Sequence, residues 1–288
     1  KEVKLPQAVS VLVPRAGVLL GVAANKNYWS TTDGETIVAR SFPETPINAK
    51  AGFAWTGAKF MSGSSGNSAG QYMHSTDGAN WTLATIAGAT AAIKVFASNG
   101  AGLVMAAASS GSFVYVSQDH GNTWTAQISP WPFAMLVYFK GLWIGTYSSN
   151  VYTSPTGQVW TSRGAVGNQV YECKLVNLGQ REVLVFTGAA SAPVIWTEDG
   201  ITFNEMDMAN VIFGDCGDVM LWADGTAATG PTGMVKREAL PISFALSGWI
   251  PAKIEKFAGR IFAIRGNSDT KMFVSSDEDY GFFEREAT

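Results

Sequence analysis

Charge, cysteine, histidine and long apolar runs are all scarce in this chain. Only 15% of its 288 residues are charged, the net charge is −3, and no basic cluster is longer than Lys236-Arg237. Phosphate neutralisation therefore has no footprint, which argues against nucleic acid as a partner. No apolar stretch approaches the roughly 18 residues of a membrane-spanning helix, so membrane insertion is not expected. Lys1 to Ala8 lacks the apolar core of a signal peptide, and an opening on Lys1 rather than Met reads as a processed or excised piece. Cys173 and Cys216 cannot make a disulfide framework and are expected to be free buried thiols. His74 and His120, the only histidines, have no visible companion ligands, so neither a metal nor a cofactor is implied.

What is abundant is apolar and small. Hydrophobic residues make up 47% of the chain and there are 31 glycines, enough for a large core and against disorder. Seven glycine-centred turns, at Gly17, Gly57, Gly100, Gly141, Gly179, Gly217 and Gly259, each precede a short apolar run. The steps between them are 40, 43, 41, 38, 38 and 42 residues. A period in the 40s built only of strand-like segments points to the blades of a β-propeller.

The third repeat is the clearest. Ile93–Ala97 reads as a first strand, Asn99-Gly100-Ala101-Gly102 as a tight turn, and Leu103–Ala108 as a second strand, apolar throughout as burial on both faces requires. Phe113–Val116 follows as a third strand, and then Ser117-Gln118-Asp119-His120-Gly121-Asn122-Thr123-Trp124 leads into a fourth. That octet has the form Ser-x-Asp-x-Gly-x-Thr-Trp and resembles the Asp-box, or BNR (bacterial neuraminidase), repeat of sialidase-type β-propellers. The resemblance implies that the octet closes the turn between third and outermost strands. The residue chemistry agrees, because Ser and Asp can bond nearby amides, Gly accepts positive φ, and Trp packs between blades.

Shortened copies carry Asp33, Asp77 with Trp81, Trp160 with Thr156 in place of the acid, Asp199, and Asp277. The stretch around Met234–Glu238 has no box, and the 78 residues from Asp199 to Asp277 fit one degenerate blade between them. The structural residues of the motif are thus Asp33, Asp77, Trp81, Ser117, Asp119, Gly121, Trp124, Trp160, Asp199 and Asp277.

The expected fold is all-β, a single domain over 1–288. It is a seven-bladed propeller of four-stranded antiparallel blades at about 7–42, 43–86, 87–129, 130–163, 164–206, 207–245 and 246–288. Phe282–Arg285 reads as the last strand, while Glu2–Leu5 is an alternative that could add to the final blade. A sandwich or β-helix is the competitor, and the period is too long for ordinary β-helix coils.

With the boxes on one rim, the opposite face carries the loops between second and third strands and the blade-to-blade connections. The former are neutral: 62–70, 108–111, Ser148-Ser149-Asn150 and a run from Ala223 to Gly233. Trp131 and Trp249 each stand ten residues before a period glycine and are followed by a proline. Trp131, Phe133, Trp249 and Asn150 are the candidate ligand contacts, with inter-blade packing as the competing role for the aromatics.

Catalysis is not expected. The sialidase resemblance implies three substrate-gripping arginines, a Tyr–Glu pair, an Asp acid and an Arg-Ile-Pro motif. Here Val13-Pro14-Arg15 has the wrong order, and of eight arginines only Arg40, Arg163 and Arg265 fall at strand ends on the loop face. Arg40 and Arg163 follow outermost strands, too far out to converge. Tyr171-Glu172 is the one enzyme-like pair, but adjacent strand residues point to opposite faces. Asp215, Asp218 and Asp224 read as turn carboxylates.

The sequence thus reads as a non-catalytic binding or structural propeller meeting a cell-surface glycan or a protein. Its small-residue bias resembles bacteriophage tail and receptor-binding proteins. That resemblance implies a virion or extracellular setting, host attachment, and other virion proteins as partners. A glycoside hydrolase of the Asp-box class and an assembly factor for a larger complex are the alternatives.

Overall fold

Left-handed backbone punctuates the chain where the glycine period requires it. Gly17, Gly57, Gly100 and Gly141 take φ of 73°, 95°, 74° and 83°; Gly179, Gly217 and Gly259 lie outside the described residues. Ala16-Gly17 and Lys140-Gly141 place both central residues at positive φ, with Ala16 at 51° and Lys140 at 46°. This is the twist that tight hairpins of right-twisted strands prefer.

The computed structural model describes residues 2–264 and 271–274, except 10, 24, 47–51, 66–67, 167–169, 179–180, 189–193, 207–211, 216–219, 225–231, 238–239, 246–252 and 259. Of the strands between 212 and 245 it describes the backbone alone.

After β1 (Glu2–Lys4), the first sheet consists of β2 (Val11–Arg15), β3 (Val18–Val22), β4 (Asn27–Thr31) and β5 (Val38–Ser41). The second has β6 (Phe53–Trp55), β7 (Phe60–Gly63), β8 (Gln71–Ser75) and β9 (Thr82–Thr85). The third has β10 (Ile93–Ser98), β11 (Val104–Ala108), β12 (Phe113–Ser117) and β13 (Thr125–Ile128). The fourth has β14 (Met135–Phe139), β15 (Leu142–Tyr147), β16 (Asn150–Ser154) and β17 (Thr161–Ala165). Then come β18 (Val170–Leu178), β19 (Arg181–Gly188), β20 (Val194–Thr197) and β21 (Asn204–Met206), followed by β22 (Ile212–Asp215), β23 (Met220–Asp224), β24 (Thr232–Arg237) and β25 (Leu240–Ala245). The last strands are β26 (Lys253–Phe257), β27 (Arg260–Ile264) and β28 (Lys271–Val274).

Each of the first six sheets runs in chain order, and the last runs β1-β28-β27-β26. Its fourth strand is therefore N-terminal: Glu2, Val3 and Lys4 pair with Phe273, Met272 and Lys271. The expected last strand at Phe282–Arg285 lies outside the described residues, and the edge of β28 is taken by β1. β2 runs through Pro14, which an edge strand tolerates because its open side needs no N–H.

Burial grades across the second, third and fourth sheets. The second strands β7 and β11 are buried at every residue, whereas β9, β13 and β17 are almost wholly exposed. A strand covered on both faces must be apolar or small throughout, which is why Val104-Met105-Ala106-Ala107-Ala108 lacks alternation.

The described residues group into two compact units. One holds Lys1–Arg40, Lys174–Glu198 and Met206–Thr288; the other holds Ser41–Cys173 and Asp199–Glu205. In the first unit, Leu12, Leu19 and Trp29 of the first sheet pack with Phe257, Phe262, Ile264 and Met272 of the last. Lys174 pairs with the buried Glu255, and Arg260 reaches Glu35 at 2.9 Å.

In the second unit, one cluster joins Met61, Tyr72 and Ile86 to Phe96, Val104 and Ala106. Another joins Val95, Met105 and Val116 to Phe133, Leu136 and Trp143. Cys173 is a half-buried thiol outside any disulfide, and Cys216 lies outside the described residues.

Candidate functional site

Antiparallel connection places the turns of each sheet at two ends. At one end a hydroxyl and a carboxylate order the turn between third and fourth strands. Ser117 Oγ donates to Asp119 Oδ1 at 2.7 Å and accepts from Gly121 N at 2.8 Å. Asp119 Oδ1 also accepts the amides of Asn122 and Thr123, and Oδ2 accepts the Thr123 hydroxyl at 2.7 Å. The Thr123 amide, then its hydroxyl, then the Ser117 hydroxyl hold the Asp119 carboxyl well below the usual carboxylate range.

Asp33 is lowered in the same way, chiefly by the Glu35 and Thr36 amides, and Asp77 chiefly by the Asn80 amide. Asp199 accepts the amides of Ile201 and Thr202. Thr36, Asn80, Thr123 and Thr202 thus play one part, donating a side-chain hydrogen to the second carboxylate oxygen. Where Thr156 replaces the acid, Ser154 Oγ still accepts from Gly157 N at 2.8 Å. These carboxylates are committed to their own turns. Asp277 lies outside the described residues.

The tryptophans that close the turns are structural too. Trp81 and Trp160 donate their indole N–H to Gly78 O and Gly157 O, at 3.2 and 2.9 Å. Trp124 packs on Tyr72 and Phe96, with ring centroids 6.0 and 6.1 Å away. There the Tyr72 hydroxyl takes the Gly121 carbonyl at 3.3 Å, and the Trp124 N–H finds no hydrogen-bond partner among the described residues.

His120, at φ 60°, sets Nδ1 2.8 Å from Thr56 O. That contact ties this turn to the β6–β7 hairpin. Among the described residues no group of three His, Cys, Asp or Glu side chains could hold a metal.

The glycines of these turns receive plugs from a neighbouring sheet. A Cβ on Gly121 would stand 2.3 Å from Met61 Cε, one on Gly157 2.3 Å from Met105 Cε, and one on Gly34 2.6 Å from Phe262 Cζ. In every case the plug comes from a second strand. The motif therefore sets the spacing between sheets as well as the shape of the turn.

The other end is made of loops stitched by backbone bonds: Gly70 N to Ala91 O, Ser109 N to Ala92 O, Ser129 N to Ser112 O and Ala134 N to Thr146 O. Segments 63–70, 86–92, 108–112, 128–134 and 147–150 contain no Asp, Glu, Lys, Arg or His. Lys59, Asp77, Asp119, His120 and Lys140 of the same unit stand at the turn end, while Glu44 precedes the Pro46–Ser64 bridge at the loop end and the exposed Arg163 lies two residues before the end of β17. Lys94, in β10, is half-buried, and burial pushes its ammonium pKa down.

Trp131 stands on this neutral end. Its ring stacks on Tyr147 with centroids 5.1 Å apart and planes within 6°, and Tyr152 tilts against it at 6.2 Å. The loop beneath is fixed: Ser129 Oγ donates to Trp131 O at 2.6 Å and accepts from Trp131 N at 3.2 Å. The stack covers one face of the indole, and Trp131 remains 39% exposed.

Asn150 is the cross-strand partner of Tyr147, and its side chain makes no hydrogen bond among the described residues. Between them Ser148 takes φ 52°, a conformation in which glycine would be unstrained. Phe133, two residues beyond Trp131, is fully buried, 4.3 Å from Trp160 and in the space left by Gly145.

The sequence-derived set therefore divides. Trp131 and Asn150 come together, Phe133 is packing, and Trp249 lies outside the described residues. Tyr147 and Tyr152 complete the group. Their mark in the sequence is a pair of tyrosines flanking the Ser148-Ser149-Asn150 turn.

Arg40 and Arg163 are each held within their own sheet. Each bonds, through Nε, a third-strand hydroxyl ten residues earlier, Ser30 Oγ at 2.7 Å and Thr153 Oγ1 at 2.8 Å. Arg265 lies outside the described residues, as do the side chains of Tyr171 and Glu172.

No family model and no curated protein matches the chain. Solved structures do. A structure described as YCF48 bound to D1 peptide aligns with TM-score 0.63 at 14% identity, over 94% of this chain and 95% of the other. Virginiamycin B lyase from Staphylococcus aureus aligns with TM-score 0.67 at 10% identity, over 94% and 97%. The WD40 β-propeller domain of Doa1 aligns with TM-score 0.62 at 11% identity, over 97% and 95%. At these identities the likeness is one of fold: the chain is all-β, with four-stranded antiparallel blades of a β-propeller. An enzyme and a WD40 domain stand alike among these neighbours.

Proposed function

We propose that the chain is a non-catalytic binding propeller of the Asp-box kind, whose neutral loop end meets a glycan or a protein. In this reading seven blades form one domain, a ring shut by β1 against β28, and the five hydroxyl-ordered turns are Asp-boxes. The supporting observation is the contrast between the two ends. The acidic groups of the turns, and Arg40 and Arg163, are engaged in local hydrogen bonds, whereas the loop end carries an exposed, backed indole and uncommitted Ser and Asn side chains. Such an arrangement offers contact area and adaptable hydrogen bonding, and among the described residues of this end no serine stands beside a base that would activate it.

The test is a panel of fluorogenic glycosides, sialosides included, incubated with the chain. No product release above the blank is expected, and turnover with any of them overturns the non-catalytic reading.

A second reading, an assembly factor holding a peptide segment of a larger complex, takes its support from the likeness to a propeller described as bound to a peptide. The bacteriophage tail reading, with its virion setting, has composition as its support. Pull-down of a tail protein rather than a polysaccharide would turn it towards an anchoring role.

A further inference from the structure

The chemistry a ligand needs at the loop end is readable from what surrounds Trp131. The indole is already stacked on Tyr147 at 5.1 Å and nearly parallel, so it is held rigid before anything binds. Pre-ordering of this kind removes much of the entropic cost of using an aromatic ring as a contact. The exposed face is flat, apolar and electron-rich, suited to a flat ligand edge bearing polarised C–H groups.

The hairpin that carries Tyr147 supplies neutral hydrogen-bonding groups: Asn150 opposite Tyr147, and Ser148 and Ser149 between them. Asn supplies donors and an acceptor, and serine hydroxyls do both. Five loops at this end carry no charge. A phosphorylated, sulfated or carboxylated ligand would find no counter-ion in these five loops, and the Arg163 guanidinium near the end of β17 is tied through Nε to Thr153 Oγ1. A protein partner, with about a quarter of its residues charged, would find none either. A ligand with apolar ring faces and neutral hydroxyls on its rim fits both features at once.

We propose that the loop end of the Ser41–Cys173 unit is a subsite for a neutral carbohydrate, with one sugar ring lying flat on the outward face of Trp131. Asn150 and the Ser148-Ser149 hairpin bond the hydroxyls on the rim of that ring. Pro130, and Ile128 with its cross-strand partner Phe113, which are 75% and 41% exposed, offer further apolar surface. A second and third sugar unit extend along it, so affinity rises with chain length. This inference rests on the binding-propeller reading and narrows its ligand.

The experiment is a glycan array followed by titration calorimetry with the full chain. It sets neutral gluco-, manno- and galacto-oligosaccharides of one to six units against their sialylated and sulfated counterparts. Binding confined to neutral chains is expected, strengthening up to about three units. It should fall at least tenfold in Trp131→Ala, be largely restored in Trp131→Tyr, and stay unchanged in Lys140→Ala at the opposite end. Circular dichroism melting of each variant separates loss of the site from loss of the fold.

Preference for acidic glycans, or undiminished binding by a folded Trp131→Ala, overturns the proposal. So does an array without any neutral binder while the same face captures a protein. Hydrolysis of an array glycan would overturn the non-catalytic reading and leave the Trp131 subsite standing, so the two failures are distinguishable.

Discussion

A missing side chain often decides more than a present one in this chain. Trp131 and Phe133 sit two residues apart in one loop, yet one is 39% exposed and the other is fully buried. The difference lies in Gly145, where a Cβ would stand 2.6 Å from the Phe133 ring. Gly21 plays the same part in the first sheet, since a Cβ there would stand 2.0 Å from Trp29 Cε2. Gly21→Ala is expected to destabilise by about 3 kcal/mol through overpacking. Gly17→Ala, whose Cβ would meet nothing within 4 Å, is expected to cost about 1 kcal/mol from its left-handed φ alone. Urea denaturation of the two variants checks the ratio.

The turn carboxylates give a pH signature at the same scale. The folded Asp119 pKa is depressed, so its contribution is complete above the unfolded value of about 3.9 and is lost as pH falls below it. Asp119→Asn is expected to lower the urea midpoint at pH 6. The gap to the parent narrows between pH 4 and pH 2.5, and a constant gap contradicts the hydrogen-bond account.

Among the elements, the third repeat was legible almost to the residue. Ile93–Ala97, Leu103–Ala108 and Phe113–Val116 were expected, and strands at Ile93–Ser98, Val104–Ala108 and Phe113–Ser117 are found. Local signals suffice there, because an apolar run bounded by glycine turns has few other uses. The Trp131–Tyr147 stack was half legible. Trp131 stood out by its flanking prolines, but Tyr147 reaches it only through the β15–β16 register, which pairs Tyr147 with Asn150.

The plugging of turn glycines by Met61, Met105 and Phe262 was not legible, since it joins residues of different repeats. Met105→Ala is expected to destabilise by about 3 kcal/mol, as the buried thioether is lost and the space over Gly157 empties. Thermal unfolding measures it, and a change below 1 kcal/mol means that the turn collapses onto the gap.

For the whole molecule, composition and period sufficed for the all-β class, while completion of the last sheet was open between Phe282–Arg285 and Glu2–Leu5. Both are short segments of mixed polarity, and only pairing to Lys271–Val274 chooses between them. Removal of residues 1–4 strips that sheet of its fourth strand and exposes an unpaired edge. The truncated chain is expected to unfold at lower urea and to self-associate, as measured by denaturation and light scattering. Unchanged behaviour contradicts a structural role for β1.

That pairing also sets an order of events during translation. Val3 meets Met272, 269 positions downstream. At ribosomal speeds of about 5–20 residues per second, β1 leaves the exit tunnel roughly 15–50 s before its mate exists. Sheets whose strands are consecutive in the chain have no such delay, because each hairpin finds its neighbour as it emerges. β1 is therefore made well before the strand it docks on and stays unmatched until Lys271–Val274 emerges.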